Sequence, residues 1–279
     1  MTEFVAALPM YDWPETRAET DAEWARLREL LRADGVEAPE RLARRNADLP
    51  PVPGGIRNPD GAVIAPDPAT LPPDEFDLHA LWRHPGLLLA QTCWGPLEQG
   101  LDAYADVVCQ PSYDRYQGGQ GECYSSAIVM RKGEAQNACP QQSASAHGAL
   151  PLDLLMDKRF AFNNPDSMSG IVALARDLEA LGCGVEIFRA LIETGGHRAS
   201  VAAVAEDRAD VAALDCRTWS LVKRFEPDTA EAVEVVAWTA KRKGLPLIVS
   251  KSVPCRVVAV VRSALRDIHT AQHPHVPTA

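Results

Sequence analysis

Short apolar runs alternate along the chain with stretches whose apolar residues recur at helical spacing. Phe4-Val5-Ala6-Ala7-Leu8 reads as a first strand and Pro9-Met10-Tyr11 as a turn. Asp12-Trp13-Pro14-Glu15 then supplies an acidic N-cap, an early proline and an acid at the capping-box position. The helix it opens carries Thr20, Trp24, Leu27 and Leu31 on one face and stops at Asp34-Gly35. Further strands are expected at Leu87–Ala90, Val107-Val108, Tyr124–Met130, Arg159–Phe162, Val185–Ile192, Asp210–Leu214, Val233–Trp238 and Leu247–Ser250. Helices are expected from Ser167 through Ile171, Leu174, Leu178 and Leu181, from His197 through Val201 and Val204, at Thr218–Arg224, and over 255–269. Segments 91–97, 113–122 and 136–148 read as polar loops. Strand and helix alternate throughout, which predicts an α/β fold with mostly parallel sheets flanked by helices.

Residues 46–77 break the pattern. Leu49-Pro50-Pro51-Val52-Pro53-Gly54-Gly55 and Leu71-Pro72-Pro73 leave few large apolar side chains to bury, and the stretch reads as a long surface excursion. It carries no clean P-x-x-P repeat of the kind that marks a ligand for a partner domain.

A chain of 279 residues is long enough for two lobes of about 100–150 residues each. A net charge of −10 disfavours nucleic acid and anionic membrane surfaces as partners, but not a small anion, which local dipoles and donors decide. No run reaches the ~18 apolar residues of a membrane span, so direct membrane insertion is not expected. The amino-terminal residues lack a basic region, a long apolar stretch and a small-residue cleavage site, so the chain as written reads as cytoplasmic. A mature or differently started form would be periplasmic. Of the seven cysteines (Cys93, Cys109, Cys123, Cys139, Cys183, Cys216 and Cys255) none forms a C-x-x-C pair, and no metal site is expected. Buried thiols are the default, with a Cys109–Cys123 bridge as the alternative in an exported protein.

Three segments put polar groups beyond the carboxyl ends of strands, where open α/β sheets bind ligands. Ser167-Met168-Ser169-Gly170 opens a helix, so backbone N–H groups, the helix dipole and two hydroxyls would converge on an anion. Plain N-capping by Asp166 or Ser167 is the alternative. Thr194-Gly195-Gly196-His197-Arg198-Ala199-Ser200 repeats the design, with His197 in a first helical turn that disfavours imidazolium; it either serves a ligand or packs locally. Asp215, at the end of a strand, either accepts from a ligand or caps the next helix.

Together these segments resemble the substrate-binding proteins of phosphonate, phosphate and phosphite ABC transporters. The hydroxyl-rich helix start is similar to Ser167-Met168-Ser169-Gly170, the Gly-x-His-x-x-Ser element to Gly195–Ser200, and the acid-ended strand to Ala213-Leu214-Asp215. The aromatic-Gly-Pro loop is similar to Trp94-Gly95-Pro96, and the Tyr-x-Ser strand to Tyr124-Ser125-Ser126. The resemblance implies the two-lobed type II periplasmic-binding-protein fold, with residues 1–125 plus 237–279 in one lobe and 126–236 in the other. It also implies a cleft in which Tyr11, Trp94, Tyr124, Ser167, Met168 through its backbone, Ser169, His197 and Asp215 hold a small anionic ligand. No cofactor is implied, and an ABC permease is the implied partner. Met168 stands where phosphonate binders carry a hydroxyl residue, which removes one side-chain donor. Two other readings compete. One is a cytoplasmic sensor of the same fold. The other is an enzyme using Cys93, His197 and Asp215, against which stands the absence of a nucleophile-elbow motif; no strand is followed by G-x-G-x-x-G for a dinucleotide.

Overall fold

A computed structural model describes residues 3–134 and 150–272, with side chains up to residue 268. The loop expected at 136–148, and Cys139 within it, lie outside the described residues. The chain divides into two compact units: Met1–Thr92, Leu97–Gln110 and Leu245–Ala279 form the first, and Cys93–Pro96 with Pro111–Gly244 the second. The change of unit therefore falls at 110/111 and 244/245 rather than at 125/126 and 236/237. A small antiparallel sheet accounts for the difference. Gly119–Gln120, Cys123–Tyr124 and Arg242–Lys243 pair with one another and so carry both flanks of the expected boundary into the second unit.

In chain order the strands are β1 (Val5–Ala7), β2 (Ile56–Arg57), β3 (Val63–Ala65), β4 (Leu87–Gln91), β5 (Ala105–Cys109), β6 (Gly119–Gln120), β7 (Cys123–Tyr124), β8 (Ser126–Arg131), β9 (Arg159–Phe162), β10 (Ala190–Glu193), β11 (Val211–Asp215), β12 (Val233–Trp238), β13 (Arg242–Lys243) and β14 (Leu247–Ser250). The helices are α1 (Arg17–Ala33), α2 (Leu78–Arg83), α3 (Trp94–Glu98), α4 (Leu152–Leu155), α5 (Ala173–Ala180), α6 (His197–Ala205), α7 (Cys216–Phe225), α8 (Pro227–Ala232) and α9 (Cys255–Gln272).

The first unit is built on a sheet of order β1-β4-β14-β5. Its apolar stripe from α1, Trp24, Leu27 and Leu31, packs with Val257, Val261 and Leu265 of α9 over Ala6, Leu89 and Val249. The second unit has a sheet of order β10-β9-β11-β8-β12. Leu174 and Leu178 of α5 pack with Ile128, Phe160, Val211 and Ala213, and the rings of Phe160 and Phe188 stack with centroids 4.8 Å apart. Phe160 is fully buried, so truncation to alanine would cost about 3–5 kcal/mol.

The α/β fold class holds, but the sheets are mixed rather than mostly parallel. β1 runs parallel to β4, and β9, β10 and β11 run parallel to one another. β14 opposes β4 and β5, and β8 opposes β11 and β12. A hydrophobic pattern carries no sign of strand direction. Only a helical crossover within one sheet forces the parallel sense, and β14 returns to its sheet after the chain has passed through the second unit.

Three local expectations also change. Segment 91–97 is not all loop, because α3 starts at Trp94. Segment 185–192 splits into a single 3-10 turn, Val185–Ile187, and β10. The Pro-rich stretch is no bare excursion. It folds the β2–β3 hairpin over Ile56, Ala65 and Ala80. Asn46, 1% exposed, clips its ends by donating to the Pro72 carbonyl (2.9 Å) and accepting from the Asp77 N–H (2.8 Å). Prolines that restrict the unfolded chain lower the entropy such a small core must offset.

Candidate functional site

The parallel strands β10, β9 and β11 end side by side, and the segments that follow each of them meet in the second unit. After β9 the turn 163–166 leads to Ser167, whose Oγ accepts from the Gly170 N–H at 3.1 Å and so caps the helix that begins with a π turn at Met168–Val172 and continues as α5. Gly170 has no room for a side chain, since a Cβ there would stand 1.7 Å from Asn163 Oδ1. After β10, Gly195 turns at φ +77°, a left-handed value that favours glycine. Gly196 then caps α6, which places His197 at its first position. Ser200 of the same motif is fully buried and bonded to Thr194 Oγ1 (2.7 Å), so it shapes the turn. Asp215 ends β11 opposite Ser126, two residues beyond Tyr124.

Ser169 Oγ lies 2.8 Å from His197 Nε2, and that nitrogen lies 3.6 Å from Asp215 Oδ2. Burial lowers the imidazole pKa, and the Asp215 carboxylate opposes this only in part, so the ring is neutral at pH 7. With its proton on Nε2 the ring donates to Ser169 Oγ and leaves the hydroxyl proton for another acceptor; with its proton on Nδ1 the ring accepts from that hydroxyl. His197 Nδ1 is buried with no hydrogen-bond partner.

Asp215 resolves the alternative left open for it towards capping. Its Oδ1 accepts from the N–H groups of Arg217 (3.0 Å) and Thr218 (2.9 Å), and its Oδ2 accepts from Thr218 Oγ1. Buried in this way, it caps the α7 start and lies beside His197. The D-x-x-T spacing of Asp215 and Thr218 was the available signal for this.

Tyr124 is 2% exposed, and its hydroxyl has no hydrogen-bond partner although it approaches Ser169. Burial first, and then the Cys93 and Asp215 groups, hold its pKa well above 10, so it stays a proton donor. A buried donor left unpaired costs about 1–3 kcal/mol, which a ligand oxygen would recover.

Sequence reasoning missed what surrounds Met168. Its backbone N–H donates to Cys93 Sγ at 3.2 Å, and the N–H groups of Gly95 and Ser169 also point at that sulfur. Gly95 permits this approach: a Cβ on it would stand 1.7 Å from the Asp166 carbonyl oxygen. Trp94 lies 4.7 Å from Lys243 Nζ in a cation–π contact. Among the described residues no hydrogen bond joins Cys93 to His197, so Cys93, His197 and Asp215 do not form a hydrogen-bonded relay. Tyr11 is buried in the first unit, where its carbonyl accepts from Thr16 Oγ1. It is not one of the second-unit group. No disulfide joins Cys109 to Cys123. Among the described residues no cluster of His, Cys, Asp and Glu could hold a metal, and no helix is long and apolar enough to cross a membrane.

This fold, with neutral and protonated donors gathered at the carboxyl ends of parallel strands, defines a substrate-binding protein of the type II periplasmic-binding class. Three solved structures share the fold over most of their length. PhnD1 of Prochlorococcus marinus, in complex with methylphosphonate, is 15% identical with a TM-score of 0.62, covering 94% of this chain and 83% of that one. A Xanthomonas citri protein bound to ATP is 14% identical with a TM-score of 0.58, covering 97% and 84%. A binding-protein component of a phosphonate ABC transporter from Pseudomonas aeruginosa is 14% identical with a TM-score of 0.56, covering 99% and 76%. No curated protein matches the chain. The family model for periplasmic substrate-binding proteins of phosphonate ABC transporters matches residues 102–276, and the chain belongs to that family. Its members are the substrate-binding component of a transporter that includes a permease; they are not enzymes.

Proposed function

We propose that the protein binds a small oxyanion, a phosphonate or a close relative such as phosphate or phosphite, at Ser169, Tyr124 and His197, and delivers it to an ABC permease. One observation carries the ligand assignment: a buried Tyr124 hydroxyl without a hydrogen-bond partner lies near the Ser169 hydroxyl, which His197 contacts at 2.8 Å. Oxygen acceptors on a compact anion fit such donors, and each bond to a charged group contributes about 1.5–3 kcal/mol. Ser167 and the Met168 backbone start the helix beneath the ligand, Trp94 borders it, and Asp215 lies beside His197. The assignment of Tyr11 rests on family resemblance alone.

Thermal unfolding and calorimetric titration with methylphosphonate, phosphate and phosphite test the reading. Saturating ligand should raise Tm by about 5 °C or more, whereas acetate and chloride should not. No shift with any of the three oxyanions removes the ligand class. The family's periplasmic location supports work outside the inner membrane rather than in the cytoplasm. Recovery of the native protein in the osmotic-shock fraction checks this, and retention in the cytoplasm would favour a sensor.

A further inference from the structure

Backbone N–H groups at a helix start usually serve as the anion-binding donors of such a site. Here the first of them is already engaged: the Met168 N–H donates to Cys93 Sγ at 3.2 Å. The N–H groups of Gly95 and Ser169 lie near the same sulfur. Sulfur is a weak acceptor, yet it is held here in a dry apolar setting of Met168, Ala173, Trp94 and Val172. A second feature points to the same spot from another element. The Tyr124 hydroxyl on β7, buried and unpartnered, faces both Cys93 and Ser169. The site therefore places an unpartnered side-chain hydroxyl beside a backbone donor that already has an acceptor.

We infer that Cys93 determines what the site accepts: its sulfur occupies the backbone donor of Met168, so the ligand is held through the hydroxyls of Ser169 and Tyr124 and competes with the thiol for anything more. This rests on the oxyanion reading above. It assigns the site a narrower donor set than a helix start open to the ligand would give, and so a preference for anions with few acceptor oxygens facing inwards. The side chain at 93, not only the residue at 168, then separates this protein from one that wraps a tetrahedral oxyanion with backbone N–H groups. Removing the sulfur would return the Met168 N–H to the ligand.

The test compares the native protein, Cys93→Ala and Cys93→Ser by calorimetric titration with methylphosphonate and inorganic phosphate, together with amide hydrogen exchange at Met168 in the absence of ligand. In Cys93→Ala the Met168 amide should exchange about tenfold faster, and phosphate should bind about tenfold more tightly, as one regained N–H bond to a charged group allows. Cys93→Ser, whose hydroxyl can accept the same N–H bonds, should stay within about threefold of the native protein in both readings and shows that folding is kept. Unchanged exchange in Cys93→Ala, or faster exchange with unchanged or weaker phosphate binding, overturns the role of Cys93 while leaving the oxyanion reading intact. Absence of binding by native protein and Cys93→Ala alike overturns the oxyanion reading and this inference with it. Binding by Cys93→Ala alone supports the inference in its strongest form, with the thiol as a block.

Discussion

Strand β11 carries a buried carboxylate at each end, and the two are handled in opposite ways. Asp210, just before the strand, is ringed by cations. Arg159 donates to it from Nε (3.0 Å), from Nη2 (2.6 Å) and from its backbone N–H (2.8 Å), and Arg131 adds a fourth donor at 3.2 Å. Its carboxyl is held far below the usual range, first by the Arg159 guanidinium. Asp215, at the other end, is met by two backbone N–H groups and a hydroxyl, and its ion-pairing neighbour is a histidine kept neutral by burial. At the Asp210 end every charge has a fixed counter-charge, so that end serves stability. At the Asp215 end the polarity is supplied by neutral donors, and the Tyr124 hydroxyl and His197 Nδ1 are left unpaired. Unpaired buried polar atoms cost stability and are kept where a ligand completes them.

The largest expected effect breaks the stable end. Asp210→Ala leaves the Arg159 backbone N–H without its acceptor and takes one carboxylate from Arg159 and Arg131, which keep Asp207 and Glu134, and should lower unfolding free energy by roughly 3 kcal/mol. Denaturant unfolding checks this, while ligand affinity of the folded protein should be unchanged. Next comes His197→Ala, which removes the group that orients Ser169. Affinity should fall by about 2 kcal/mol, roughly 30-fold, with Tm nearly kept; equal loss of Tm and affinity would make His197 structural. Tyr124→Phe has a more diagnostic sign. Ligand-free stability should hold or rise by about 1 kcal/mol because an unpaired hydroxyl is gone, while affinity falls about tenfold. Falling stability would mean that the hydroxyl has a partner in the free protein.

The smallest effect separates two histidines. His84 in the first unit is buried with both nitrogens occupied: Nδ1 accepts from the Gly86 N–H (3.0 Å) and Nε2 donates to the Pro50 carbonyl (3.0 Å). Burial lowers its pKa, so it is neutral when folded. Below about pH 6.5 the unfolded chain takes up a proton that the folded one does not, and stability falls with pH by up to about 1.4 kcal/mol per unit. The stability His84 contributes is complete above that pH and is lost as pH drops towards its folded value. His84→Gln should flatten the pH dependence of unfolding between pH 7 and 5. An unchanged slope would assign it to His197.

Much of this was legible in the sequence because period and caps act locally. The α1 stripe of Trp24, Leu27 and Leu31, the Gly35 stop and the strand ends at Phe162, Glu193 and Asp215 follow from spacing within a few residues. Ser169 and His197 meet because their helices start after neighbouring parallel strands, which the motif order implies. What stayed hidden depends on contacts remote in sequence. The sense of β8 and β14 is set by the path between units. The order within 46–77 depends on Asn46 reaching Pro72 and Asp77. The fate of the Met168 N–H depends on a cysteine 75 positions away, admitted by the missing side chain of Gly95. Asp215 was readable as a cap or a ligand contact, and the Thr218 N–H and hydroxyl show the cap.

The account depends on two hydroxyls awaiting an acceptor at the carboxyl ends of β9, β10 and β11. The most direct measurement is a crystal structure of the native protein with methylphosphonate. One phosphonate oxygen should lie about 2.6–2.8 Å from both Ser169 Oγ and Tyr124 Oη, with Asp215 still capping α7. Methylphosphonate bound elsewhere, with Tyr124 Oη still unpartnered, would contradict it.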